Sequence, residues 1–387
     1  VALLGNFGNQ NLGNEAVLSV FVDAIRTRRP DLRIVALSID PEDTERRHGV
    51  SALPLRSGWR GVAEPAVEAA WLLRAIPRLR PLEALVVAGG GQLCDDFGGA
   101  SNLPWMSYRW AALASFLGAR ILVLGVGAGP IRARLSRLLI RRVLAMAERR
   151  WIRDAGSARL LAGLPFEATL DVAPDPAFLY PRRAVRRESG VVALIPFPHQ
   201  DERYSPEHSA AAYRDYLAKL VRVVRDLRAA GKRVLLVPTQ LRADTAVIRD
   251  LLQLLTNGAR ADAVECPNVS SFDDVLDQLG RSELVIDSRF HGAVAALLAG
   301  RPLIALVNHP KLGDLMSEFG LDSFALPLGD FDPSAVTQAV ARAAASRVSL
   351  ESRIADTVAA YRSRIERQLD LAFGAPRAAG AGSARPG

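Results

Sequence analysis

Apolar positions alternate between two patterns along this chain. Short, mostly apolar runs read as buried strands: Val1–Leu4, Leu32–Ile39, Ala84–Ala88, Ile121–Gly127 and Arg150–Asp154, then Gly190–Pro196, Arg233–Pro238, Val264–Cys266, Leu284–Ile286 and Leu303–Val307. Between them apolar residues recur at helical spacing, as Val17, Val20, Phe21, Ala24 and Ile25 do in a helix expected from Ala16 to Arg28. Further helices are expected over Pro65–Ile76, Trp105–Leu117, Leu135–Ala147, Ala210–Ala230, Phe272–Leu279, Ala293–Ala299, Leu312–Phe319, Pro333–Ala345 and Leu350–Ala372. Pro41–His48 is charged and reads as a loop with room for a short helix. Apolar strands alternating with helices predict an α/β protein with mostly parallel sheets, covered on both faces.

A length of 387 residues fits two domains. The polar, basic stretch Pro181–Gly190 reads as the linker between a domain over 1–180 and another over 190–348. A helix over 349–373 follows, and the low-complexity tail 374–387 has the composition of a disordered segment. The longest apolar region, Ala111–Ala128, contains Arg120 and several glycines, so it reads as helix, turn and strand rather than a membrane span. No signal peptide is recognisable, and the sequence starts on a strand without Met, so a few residues are expected in front of it.

Cys94 and Cys266 form no framework or CxxC motif, which leaves a reduced, cytosolic protein as the expectation. The five histidines lack metal-ligand spacing, so neither a metal nor a cofactor is expected. The net charge of +8 is nearly all Arg, with Lys only at Lys219, Lys232 and Lys311. The arginines are spread over helix faces without a nucleic-acid motif, which argues against nucleic acid. Anionic small molecules or an anionic membrane surface fit the charge equally well.

Chemistry concentrates where strands hand over to helices. Asp287-Ser288-Arg289-Phe290-His291-Gly292 follows the strand Leu284–Ile286 and precedes a buried helix. Unpaired N–H groups and the positive dipole end at a helix start, joined by a guanidinium and an imidazole, make an anion site. Lys311 stands just past another strand end. Two glycine-rich loops end strands in the first half: Gly5-Asn6-Phe7-Gly8-Asn9-Gln10-Asn11-Leu12-Gly13-Asn14-Glu15, and Gly89-Gly90-Gly91 ahead of Asp95. Such loops let backbone approach a ligand closely, or merely make tight turns with Asn11 or Asn14 as helix cap. Arg153-Asp154 reads as an internal ion pair or as part of a site.

Taken together, Gly8–Ala16, Gly89–Gly91, Gly125–Pro130, Arg153-Asp154 with Ser157, Asp175–Phe178, Asp244, Ser288–Gly292 and Lys311 resemble the polysaccharide pyruvyl transferase family, in family order. The resemblance implies a GT-B-like fold, two Rossmann-like domains facing across a cleft, with the helix of 349–373 packing back on the first. It implies transfer of pyruvate from phosphoenolpyruvate to a sugar of a cell-surface polysaccharide or its lipid-linked precursor. Arg153, Ser288, Arg289, His291, Gly292 and Lys311 would then bind the donor, with Arg132 as a rival to Arg153. His291 would be general acid, and Asn11, Asn14, Gly89, Gly90, Gly91 and Asp95 would face the acceptor, with Glu15 or Asp95 as base. The family usually has Asp where this chain has Asn14. Peripheral contact with the inner membrane face, with Trp59 and Trp71 as a patch, and a homo-oligomer are compatible with this class. A nucleotide-sugar glycosyltransferase and a non-catalytic binding protein of a polysaccharide biosynthesis cluster are the other readings.

Overall fold

The computed structural model describes residues 1–56, 65–96, 98–182, 184–205, 207–256 and 264–374. The chain forms two compact units, one of Val1–Asn9, Val17–Leu179 and the chain from Arg362, the other of Gln10–Ala16 and Tyr180–Tyr361. In sequence order the first half contains β1 (Ala2–Leu4), α1 (Leu12–Arg28), β2 (Val35–Ser38), α2 (Pro41–His48), β3 (Ser51–Pro54), α3 (Pro65–Leu79), β4 (Ala84–Ala88), α4 (Leu103–Phe116), β5 (Arg120–Val126), α5 (Arg134–Met146), β6 (Arg149–Ile152), α6 (Ala155–Ala162) and β7 (Asp171–Val172). Its sheet runs β3-β2-β1-β4-β5-β6-β7 and every pairing is parallel.

The second half contains β8 (Val191–Ile195), α7 (Ala210–Ala229), β9 (Arg233–Leu236), α8 (Leu241–Thr256), β10 (Val264–Glu265), α9 (Phe272–Arg281), β11 (Leu284–Asp287), α10 (Phe290–Leu298), β12 (Leu303–Val307), α11 (Pro310–Glu318), β13 (Ala325–Pro327), α12 (Pro333–Ala345) and α13 (Arg347–Phe373). The second sheet, β10-β9-β8-β11-β12-β13, is again parallel throughout. Both sheets share one winding: the first strand lies between the second and the fourth, as in Rossmann domains. Every residue of β4, β8 and β11 is buried, as strands covered on both faces must be. Each fully buried Val, Leu or Ile contributes about 1.5–3 kcal/mol.

Central strands and long helices lie where the apolar pattern puts them. The edges do not. β3, β7 and β13 lack an apolar run, being short edge strands with one open side. β3 and β13 each end in proline, which an edge tolerates because no further strand needs its N–H. Pro41–His48 is a helix, capped by Asp40, which accepts the Asp43 N–H at 3.1 Å, and closed by left-handed Gly49. α1 starts at Leu12 rather than Ala16 because Asn11 caps it: its side-chain oxygen accepts the N–H of Gly13 at 3.1 Å and of Asn14 at 3.4 Å. Asn14 is therefore in the first turn and is not the cap.

α13 is shared between the units, dividing after Tyr361. In the first unit, Arg28, its side chain only 4% exposed, bonds Asp370 at 2.8 Å and also Glu366. Arg362 donates to the Phe178 carbonyl at 2.8 Å and Arg364 to that of Val172 at 3.1 Å. The tail beyond Gly374, like Trp59, lies outside the described residues.

Candidate functional site

In the second unit the winding reverses between β8 and β11, the place where open α/β sheets bind ligands beyond their strand ends. The side chains singled out around residue 289 converge on it. Arg289 is the N-cap residue of α10, directly after β11. Its Nε donates to Asp244 Oδ1 at 3.0 Å, Nη2 bonds the same oxygen, and its guanidinium lies over the Phe197 ring, 4.6 Å from the centroid. Asp244 is fully buried on α8. Its other oxygen accepts the N–H groups of Thr239 at 2.9 Å and Gln240 at 2.8 Å. The end of β9 thus holds the carboxylate, the carboxylate holds the arginine, and an aromatic face from the end of β8 fixes its plane. Nη1 carries no protein partner among the described residues and is the donor left for a ligand.

His291 occupies the first turn of α10, 9% exposed, with the Phe290 ring edge-on at 5.5 Å. Gly13 lies against it: a Cβ there would sit 2.1–2.3 Å from the imidazole and its Cβ. The segment carrying Gly13 is tied to the same strand ends. The Leu12 N–H donates to the Thr239 carbonyl and the Leu241 N–H to that of Gln10, each at 2.9 Å. These bonds are why residues 10–16, read from sequence as part of the first domain, group with the second unit. Asn11, Asn14 and Glu15 therefore belong with His291, and Asn14 and Glu15 are buried. With Asn11 as cap, an acid at position 14 would stand in the first turn of α1, near the positive dipole end; Asn14 gives up that charge.

Lys311 is in the first turn of α11, after the neighbouring strand β12, and its N–H meets His309 Nδ1 at 3.3 Å. Ser288 and Gly292 shape the turn. Ser288 is fully buried, with its N–H on the Ile195 carbonyl at 3.3 Å, and a Cβ at Gly292 would lie 2.4 Å from Asp287 Oδ1. Asp287 ends β11, fully buried, accepting the Arg289 N–H at 2.9 Å on Oδ1, while Oδ2 has no partner among the described residues. Burial holds its carboxyl well above the usual range; the Arg289 N–H opposes this and the charge of Asp244 reinforces it. Tyr216, also fully buried, accepts the Phe197 N–H at 3.0 Å, and burial raises its phenol.

Sequence reasoning gave no site role to Phe197, Asp244, Asp287 or Tyr216. Asp287 carried a signal, an acid closing an apolar strand. Phe197 carried a weaker one, an aromatic at the end of the second half's first strand.

The remaining singled-out residues lie in the first unit, within its own framework. Arg153, its side chain 5% exposed, bonds Asp175 at 2.9 Å and faces Asp154 at 3.7 Å. Asp154 caps α6 through the Ser157 N–H at 2.6 Å and accepts the Ser157 hydroxyl at 2.8 Å. The ion-pair reading of Arg153 is thus realised, chiefly with Asp175. Asp95 accepts the N–H groups of Arg132, at 2.9 Å, and Ala133, at 2.8 Å. Burial raises its pKa, but these N–H donors together with Ser136 and the charge of Arg132 outweigh burial and lower it, which makes it a weak base. Arg132 is exposed and bonded to Asp96. Gly89 and Gly90 take positive φ, 51° and 62°, and a Cβ at Gly89 would strike Val17 at 2.2 Å, whereas Gly91 faces open space. Trp71 is half-buried, packed edge-on against Trp110 at 5.3 Å with the Arg109 guanidinium 5.2 Å from its ring. A cavity of about 340 Å³ opens by Val1, Glu83 and Arg120, at the opposite end of the strands from these loops. Among the described residues no group of three or more His, Cys, Asp or Glu could hold a metal, and no helix is long and apolar enough to cross a membrane.

The fold is GT-B-like, as structural comparison shows. The chain is similar to S. aureus MnaA solved with UDP (TM-score 0.61, 11% identity, covering 96% of this chain and 95% of that one). It is also similar to Anabaena HepE in complex with UDP and glucose (0.60, 12%, 96% and 98%). A third similar structure is the glycotransferase of kitacinnamycin (0.56, 15%, 96% and 97%). No curated protein matches the sequence. The model of one protein family, polysaccharide pyruvyl transferase, matches residues 11–310, from the asparagine that caps α1 to the proline that opens α11. That span holds Asp244, Asp287, Ser288, Arg289, His291 and Gly292 but not Lys311, one residue beyond it, and the chain belongs to the polysaccharide pyruvyl transferase family.

Proposed function

We propose that this chain transfers pyruvate from phosphoenolpyruvate to two hydroxyls of a saccharide, in a cell-surface polysaccharide or its lipid-linked precursor, releasing phosphate. The observation that carries the reading is the Asp244–Arg289–Phe197 clamp beside His291 at a helix start, with Lys311 at the next. Phosphoenolpyruvate is small and carries a phosphate and a carboxylate. A rigid planar fork, a point charge and helix N-termini suit those two anions. In the reaction the enol C3 takes a proton and positive charge develops at C2. One sugar hydroxyl adds to C2 and loses its proton; the C2–O bond to phosphate breaks; the second hydroxyl closes the ketal and loses its own. His291 supplies the C3 proton or binds phosphate as imidazolium. Arg289 and Lys311 hold the departing phosphate and the carboxylate, and fixed cations of this kind contribute much of the rate.

In this reading Glu15 takes a hydroxyl proton, and Asn11 and Asn14 orient the sugar. Arg153 and Asp95 act by fixing the loops they brace. The reaction takes place on the cytoplasmic side.

A second reading, a nucleotide-sugar transferase, draws on the similar structures solved with UDP, since a diphosphate would suit the same cations. Calorimetric titration separates the two. Phosphoenolpyruvate should bind the wild type, Arg289→Ala and His291→Ala should each weaken binding or turnover by about 100-fold or more, and UDP or GDP sugars should not compete. Binding of a nucleotide sugar alone would overturn the proposal. Phosphoenolpyruvate binding with no transfer to any saccharide would leave a binding protein.

A further inference from the structure

The outer face of α5 departs from the rest of the surface. Its 13 residues, RLSRLLIRRVLAM, include four arginines and no acid. Ser136, Leu139, Ile140, Val143 and Leu144 are buried. Arg134, Arg137, Arg141 and Arg142 are exposed on the other side together with Leu135 (54%) and Leu138 (41%). Arg134, Leu138 and Arg142 follow one another at four-residue steps, so the leucine lies between two guanidinium groups along one line of the helix.

Elsewhere Arg46 and Arg47 pair with Asp43, Arg120 with Glu148, Arg222 with Asp226, and Arg233 with Glu188 and Glu265, while exposed arginines without an acid partner among the described residues, such as Arg214 and Arg225, Arg242 and Arg249, lie on helices that also carry acids. On α5, Arg134, Arg141 and Arg142 have no carboxylate partner among the described residues, and Arg137 donates only to the Ile131 carbonyl, at 3.4 Å. The acids that bracket the helix are already committed, Asp95 to backbone N–H groups, Asp96 to Arg132 and Glu148 to Arg120. α4 packs beside α5, contains no acid, and exposes Trp105 (40%) and Phe116 (80%). These two are three helical turns apart and share one line of α4.

We propose that this α4–α5 face is a docking surface for an anionic lipid bilayer. Four cations without a carboxylate partner call for an anionic layer, and leucines and aromatics interleaved with them call for apolar surface within a few ångströms of it. A headgroup region over acyl chains supplies both at once. Arginine's long stem lets its charge stay among the headgroups while its methylenes follow the leucines down, and tryptophan favours that same boundary. A folded acidic partner would instead meet fixed charges. The inference does not rest on the transfer reaction, since binding is read on vesicles without substrate.

Co-sedimentation with vesicles tests it, using neutral phosphatidylcholine and the same lipid with about one-third phosphatidylglycerol, at about 0.1 M and about 0.5 M salt. The wild type should bind the anionic vesicles at least about tenfold more tightly than the neutral ones. Combined Arg134→Glu, Arg141→Glu and Arg142→Glu should bring binding down to the neutral level. Combined Leu135→Ser and Leu138→Ser should remove the part that survives high salt. All five positions are exposed, and unchanged thermal melts would confirm that both variants fold. No preference for anionic vesicles, or full binding by the arginine variant, would overturn the proposal. So would salt-resistant binding untouched by the leucine changes, or equal retention of a duplex oligonucleotide, which would mean a general polyanion site.

Discussion

At the scale of single residues, the charges of the candidate site sit against the grain of their surroundings. Arg289, His291 and Lys311 were legible because each stands just past the end of an apolar strand, where a helix begins. Their partners were not. Asp244 and Phe197 reach Arg289 from segments separated from it by 45 residues or more, and only folding brings them together. Asp287 shows what such an assembly costs. Its carboxyl is held well above the usual range, so the folded chain keeps a proton that the unfolded chain releases above pH ~4. Stability is therefore unpenalised below that pH and falls progressively as pH rises toward the folded-state value. Asp287→Asn keeps an acceptor for the Arg289 N–H and removes the titration. Its melting temperature should gain on the wild type between pH 5 and pH 8, in the range used for ordinary thermal scans. Parallel curves for the two proteins would show that the carboxyl is ionised.

At the scale of elements, helices and central strands were legible and boundaries were not. Periodicity reports burial, and burial says little about which side chain satisfies the first N–H groups of a helix. That is why α1 was expected at Ala16, although Asn11 starts it four residues earlier. Gly13, which this early start places in the first turn, makes a sharp test. Gly13→Ala would push a methyl into the His291 ring, 2.1 Å from its nearest atom. Phosphoenolpyruvate binding should drop by at least about tenfold, the scale at which a small misplacement of a reacting group is felt. Gly313→Ala is the control: on α11 its Cβ would meet only Val307, at 3.7 Å, and the change should be neutral or stabilise by about 0.5–1 kcal/mol. Undiminished binding in Gly13→Ala would separate His291 from the ligand.

At the scale of the molecule, the existence of two α/β halves could be read from the alternating pattern and the basic stretch near residue 185. Their interleaving could not, because residues 10–16 and 362–373 are claimed by tertiary contacts that leave no local mark. One consequence concerns truncation. A fragment of residues 1–180 would leave the buried Arg28 guanidinium without Glu366 and Asp370, and the carbonyls of Phe178 and Val172 without their arginines. The buried side chains of Ile365 and Leu369 go with them, about 1.5–3 kcal/mol each, a large share of the ~5–15 kcal/mol that holds a domain together. The fragment should lose cooperative unfolding, and a synthetic peptide spanning 360–374 should restore it. A stable 1–180 fragment would show that the last helix is dispensable to the first unit.

The repeated strand order has a further consequence. Each sheet has its own reversal, one between β1 and β4 and one between β8 and β11, but the two are furnished differently. Glycine backbone lines the first, and charged side chains crowd the second. Ionic strength acts strongly on such a charged corner and hardly on peptide groups. On the proposed reading, added salt should raise the apparent KM for phosphoenolpyruvate and leave that for the saccharide nearly level. The same asymmetry bears on evolvability. A corner built of cations imposes a charge preference that its flanking loops cannot easily change, whereas a corner built of bare backbone imposes none and leaves its loops free to drift.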